Sequence, residues 1–262
     1  MSKLTMEDIA RGPTNRAPRQ IVLGTAKCGK SEYAGSVPGM VIIPVKFEEG
    51  VDNLDCAKLP VCQTFEDIIS SIEFIYENAE AAGFKAAALD SSSTAQALVM
   101  QRSMQIENVD SEKKLGGGFD HVHDTAKLLW SQVQDGFDAL RNKYNMPTMI
   151  IGHTKVKQFN NPAGENFDRY LWDIHEKCAM QLDRWADTTI FINTKTTVTK
   201  GDDEQNRGVD LGNAIFTRNE AWHPGGGRGL YGRLPSEISY PYGKGWQAFT
   251  QAVMDVDKEE QF

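Results

Sequence analysis

Eight consecutive residues, Gly24-Thr25-Ala26-Lys27-Cys28-Gly29-Lys30-Ser31, carry the most specific chemistry in this sequence. They fit G-x-x-x-x-G-K-[ST], a pattern that arises by chance in roughly one chain per hundred of this length. Gly24 and Gly29 let the backbone curl, so that successive N–H groups converge on an anion. A helix beginning near Lys30 adds its N-terminal dipole. The Lys30 ammonium is spaced to reach β- and γ-phosphates, and the Ser31 hydroxyl to ligate Mg²⁺. The expected ligand is a purine nucleoside triphosphate, ATP, with Mg²⁺.

Three further positions could complete such a site. Asp90 ends the apolar run K-A-A-A-L-D, read as a strand lying beside the one that precedes the loop. Its carboxylate either holds a water on Mg²⁺ or caps the next helix together with Ser91 and Ser92. Glu48 and Glu49 follow a second apolar run, and one of them could orient an attacking water and accept its proton. His153 ends the run T-M-I-I-G-H, at the strand edge where a polar side chain can sense a γ-phosphate. His121 and His123 have no ligand cluster around them and read as surface residues. Cysteines 28, 56, 62 and 178 have neither disulfide nor zinc spacing and read as reduced thiols.

The elements that must position these groups alternate. A strand near 21–23 leads into the loop, and a helix follows from Lys30. A strand at 40–45 comes next, then a helix at 64–82 with a Thr64–Asp67 capping box and Gly83 as its stop. After the Asp90 strand, a helix precedes the triplet Gly116, Gly117, Gly118, and a long amphipathic helix spans Val122 to Leu140. The 148–153 strand, a helix near 172–186 and a strand at 188–193 follow. The last 50 residues read as short strands and turns. The fold class is therefore α/β, with a mainly parallel sheet flanked by helices. Residues 1–18 read as a flexible arm, 19–255 as one ATPase domain and 256–262 as a tail.

With 262 residues and 40% hydrophobic composition the chain can bury a full core. No apolar run approaches the length of a membrane span, and no secretory signal is recognisable, so a cytoplasmic protein is expected. A net charge of -8 argues against coating nucleic acid by bulk electrostatics, and leaves room for a local basic surface.

The order of these motifs resembles the RecA-like ATPase core, and more closely the phage-encoded core-only RecA-like proteins of single-strand annealing and recombination. The resemblance spans about residues 19–250. It rests on G-T-A-K-C-G-K-S, F-E-E-G, A-A-A-L-D-S, I-I-G-H-T-K and R-G-L-Y-G-R-L-P-S-E-I. It implies Glu48 as catalytic base, Asp90 at Mg²⁺ and His153 as γ-phosphate sensor. Arg228 or Arg233 is implied as a finger reaching a neighbouring subunit's nucleotide, hence self-association into a ring or filament. It also implies single-stranded DNA as partner, with a single-stranded-DNA-binding protein as a further one, in the cytoplasm of a bacterial host. Two loops would touch the strand, at about 104–120 with Lys113 and Lys114, and at 154–171 with Lys155, Lys157, Phe159 and Arg169. Two other readings stand at this point: a non-catalytic nucleotide-gated module that binds DNA or protein, and a P-loop kinase acting on a small molecule.

Overall fold

Alternation along the central strands explains the architecture. In the computed structural model, which describes residues 5, 16–47, 49–109, 119–161, 164–200 and 206–259, six strands pair in parallel. They are β1 (Arg19–Gly24), β2 (Met40–Pro44), β3 (Ala57–Lys58), β4 (Ala86–Asp90), β5 (Thr148–Phe159) and β7 (Thr188–Lys200). Ile21 and Leu23 of β1 face one apolar layer while Val22 faces the other, and Val41, Ile43 against Met40, Ile42 do the same on β2. Strands buried on both faces need helices on both faces. The first layer is built by α2 (Phe65–Ala82), α3 (Ser92–Ile106), α4 (Phe119–Tyr144) and α5 (Glu176–Trp185). The second holds the short α1 (Lys30–Gly35) and α6 (Gly245–Glu259).

Strand order is β10-β8-β7-β1-β5-β4-β2-β3, with β6 (Phe167–Trp172) on β5 and β9 (Gly226–Gly227) on β7. The strands β8 (Asn206–Phe216) and β10 (Glu237–Tyr240) extend the sheet antiparallel beyond β7. One expectation is corrected here. The Asp90 strand does not lie beside β1, because β5 is inserted between them and pairs with both.

Three local expectations also change. Residues 154–171 are not a loop: β5 continues to Phe159 and turns back antiparallel as β6. Trp172 accordingly ends a strand, and α5 starts only at Glu176, after His175 as N-cap. The C-terminal stretch read as strands and turns contains the 15-residue α6, which runs through the boundary expected at 255. It docks on α1, with Trp246 and Phe249 edge-on to Tyr33. Thr64 and Asp67 form the expected capping box on α2, and Gly83 ends that helix in the left-handed region at φ 72°.

At the amino ends of the strands a charge cluster ties three elements together. Asp187, just before β7, pairs with Arg19 of β1 at 3.0 Å and with Arg141 of α4 at 2.9 Å. This clamp lies at the opposite end of β1 from the glycine loop.

Candidate nucleotide site

Register brings the chemistry together. Gly24, the last residue of β1, pairs with His153 of β5 on one side and Ile192 of β7 on the other. Asp90 pairs with Ile151, so its carboxylate also lies at the carboxyl end of the sheet. That edge is where open α/β sheets hold their ligands.

The loop between Gly24 and α1 is shaped by its neighbours. A Cβ on Gly24 would collide with the Ile192 carbonyl oxygen and the Cys28 sulfur, so only glycine fits. Gly29 caps α1 at φ 94° and Lys27 also has positive φ, which turns the backbone tightly enough to enclose an anion. Burial raises the Cys28 thiol, which marks it as a packing group against Gly24 and not a nucleophile.

Lys30 is 5% exposed. Its ammonium donates to the Thr25 carbonyl at 2.6 Å, arching over the loop, and stands 3.4 Å from His153 Nδ1. The next residue, Ser31, donates its hydroxyl to Asp90 Oδ2 at 2.5 Å. Asp90 does not cap the following helix. That task falls to Ser91, whose side chain accepts from Thr94 N–H.

These residues suit a magnesium nucleoside triphosphate. The loop's two glycines add no side chain to it, an ammonium arches over it, and a hydroxyl and a carboxylate oxygen lie together as a hard cation requires. Lys30 would meet the phosphates, and Ser31 with Asp90 would hold Mg²⁺.

Two residues here were not foreseen. Ser93 Oγ accepts from the His153 amide at 3.0 Å, and Asn193, ending the buried part of β7, accepts from the Thr25 hydroxyl at 3.4 Å. Asn193 carries the signal that picked out Asp90 and His153, a polar residue closing an apolar strand.

Other expected positions fall elsewhere. Glu48 lies outside the described residues, as do Lys113 and Lys114. Arg228 sits at the amino end of β7, its guanidinium on the Arg184 carbonyl and its amide on that of Asp187. Arg233 closes the 3-10 turn that follows. Arg228 therefore faces away from its own chain's phosphate loop. Lys155, Lys157 and Phe159 share one face of the β5–β6 hairpin with Arg169, since Lys157 pairs with Arg169 and Phe159 with Phe167. Lys155 is matched by Asp173 at 2.8 Å. Arg169 is committed to the Asn219 side chain and the His223 carbonyl. His123 corrects the surface reading: it stacks on His175 with ring centroids 3.6 Å apart. Among the described residues no group of three or more His, Cys, Asp or Glu is arranged to hold a metal. No described helix is long and apolar enough to cross a membrane.

A strand, a glycine-rich turn and a helix with a buried lysine and a serine–aspartate pair define a P-loop nucleotide-binding ATPase. A family model for the AAA domain matches residues 16–226, most of the chain, so the protein belongs to that family of P-loop ATPases. No curated protein matches the chain.

Proposed function

We propose that this chain is a Mg²⁺-dependent ATPase of RecA-like architecture that acts on single-stranded DNA in phage recombination or annealing. The observation that carries the enzymatic part is the meeting of Lys30, Ser31, Asp90 and His153 from three separate strand ends.

Bound Mg²⁺ would offset charge on the phosphate oxygens. Lys30 holds the β- and γ-phosphates, and the loop amides fix them. Glu48 accepts the proton of the attacking water. His153, hydrogen-bond distance from Lys30, reads whether the γ-phosphate is present and passes that state along β5. An arginine, Arg228 or Arg233, acts on the neighbouring subunit's nucleotide, which requires a ring or filament. The position of Arg228 away from its own loop supports action in trans.

The DNA part is supported by the hairpin. β5 leaves the nucleotide site at His153 and carries Lys155, Lys157 and Phe159 outward on one face. Exposed cations beside an aromatic suit backbone contact and base stacking. A small-molecule kinase would need an arginine-bearing lid, and no described helix carries more than one arginine.

The test is ATP turnover with and without a single-stranded oligonucleotide, alongside solution mass. Turnover should rise with DNA, and the active species should be larger than a monomer. A flat rate together with no oligonucleotide binding at low salt would remove the DNA reading and leave a P-loop ATPase.

A further inference from the structure

Three consecutive serines follow Asp90, and each holds a different partner. Ser91 caps α3. Ser92, fully buried, accepts from the Trp172 indole Nε1 at 3.0 Å. Ser93 accepts from the His153 amide at 3.0 Å. Successive residues of a helical turn point about 100° apart, so a single turn grips two partners at once.

Those partners are the two ends of the β5–β6 hairpin. β5 passes His153 as it leaves the core, and β6 returns to the core at Trp172. The ends are also tied to each other, since the Asp173 amide donates to the His153 carbonyl at 2.9 Å. Gly152 makes room for the grip: a Cβ there would fall on the Trp172 indole nitrogen and the Ser92 hydroxyl. Trp172 is itself buried, so its N–H depends on Ser92 for a partner.

The same turn begins at the candidate metal pair. Asp90, 1% exposed, accepts from the Ser31 hydroxyl at the end of β4. β4 is buried along its whole length, and a close-packed strand transmits a shift at its end instead of absorbing it. What fixes Asp90 therefore also fixes Ser92 and Ser93, and through them the base of the hairpin. Lys30 approaches His153 from the phosphate side at 3.4 Å, which is a second and separate route.

We propose that Ser92 and Ser93 are positioning residues that fasten the β5–β6 hairpin to the Asp90 end of β4, so that seating a Mg²⁺-nucleotide at Ser31 and Asp90 stiffens the hairpin. This role rests on the nucleotide site described above and is independent of what the hairpin binds. By linkage, any ligand that prefers the stiffened hairpin also tightens nucleotide binding.

Amide hydrogen exchange reads this role without turnover. In the wild type, saturating Mg²⁺ with a non-hydrolysable ATP analogue should slow exchange in residues 154–159 and 167–172 relative to α6, which packs on the other face of the sheet. The expected slowing is roughly fivefold or more, the low end of an ordinary coupling between two sites. EDTA in place of Mg²⁺ should remove most of it, because Asp90 then has no cation to hold. Trp172→Phe combined with Ser93→Ala removes both hydrogen bonds and should abolish the slowing at analogue concentrations that still saturate the site. Ser93→Thr keeps a hydroxyl and should retain it. Thermal unfolding checks that the variants fold, and where the double variant does not, each single change should reduce the slowing. An unchanged hairpin in the saturated wild type, slowing that survives EDTA, or slowing that survives in the folded variants would each overturn the fastening role while the nucleotide site stands. An analogue that does not bind the wild type would remove the nucleotide site and this role with it.

Discussion

The Ser31 hydroxyl, at the start of α1, and the Asp90 carboxylate, at the end of β4, meet at 2.5 Å although β1, which leads into α1, does not touch β4. β5 runs between those strands, and its last core residues hold His153 beside Gly24. The pair thus spans the end of an intervening strand and sets two hard oxygen donors side by side. Ser31→Ala and Asp90→Asn should therefore both raise the Mg²⁺ concentration needed for half-maximal turnover, by roughly tenfold or more for ligand or outer-shell losses. Magnesium titration of the ATPase measures this. Unchanged Mg²⁺ dependence in both variants would mean that the pair is structural.

Lys30 makes the next prediction. Its ammonium stands at the loop mouth, and charge-assisted hydrogen bonds to phosphate contribute about 1.5–3 kcal/mol each. Lys30→Ala should weaken binding of a fluorescent ATP analogue by roughly 10–150-fold per bond lost, at 1.4 kcal/mol per decade. The thermal stability of the unliganded protein should fall less, because the lysine's main contact is with its own loop. Retention of the analogue at wild-type affinity would refute the site.

Glu48 separates an ATPase from a nucleotide-gated binder. Glu48→Gln removes a proton acceptor and keeps the side chain's size. ATP affinity should be preserved while turnover drops by a factor on the order of 10²–10⁴, the usual contribution of a general base. A variant that hydrolyses ATP at the wild-type rate would move the role to another carboxylate, with Glu49 the next to test.

The phosphate loop was legible because its chemistry is local: eight residues in fixed spacing dictate the turn. Asp90 and His153 were legible as polar ends of apolar strands. Which strand lies beside β1 was not, since β4 and β5 are equally apolar and only tertiary pairing orders them. The hairpin hid for a different reason. Beyond His153 both of its faces are largely exposed, so T-K-V-K-Q-F lacks the one-sided hydrophobic alternation that marks a half-buried strand. The α6 helix did leave a signal, with Trp246, Phe249, Val253 and Val256 at helical spacing against the second layer. The glycines at 243 and 245 that introduce it masked that pattern as a turn.

The clamp at the far end of the sheet gives a prediction that is independent of nucleotide. Burial alone would raise the Asp187 carboxyl, but hydrogen bonds from the Arg19 side chain and amide, with the charges of Arg19 and Arg141, outweigh it and hold it below the usual range. A carboxyl lowered in the folded state binds fewer protons there than when unfolded. Its stabilisation is therefore full above the unfolded value of about 3.9 and is lost as pH falls through the folded one. Asp187→Ala should cost about 1–3 kcal/mol at neutral pH, less than a fully buried pair because all three side chains keep some exposure to water. That corresponds to roughly 2–10 °C in Tm. The gap between wild type and variant should close on acidification towards pH 3, while affinity for an ATP analogue at pH 7 stays unchanged, because the clamp and the loop sit at opposite ends of β1. Thermal denaturation across pH is the measurement. A gap that stays constant down to the lowest pH at which the protein folds would show that packing, and not the ion pairs, is what Asp187 contributes.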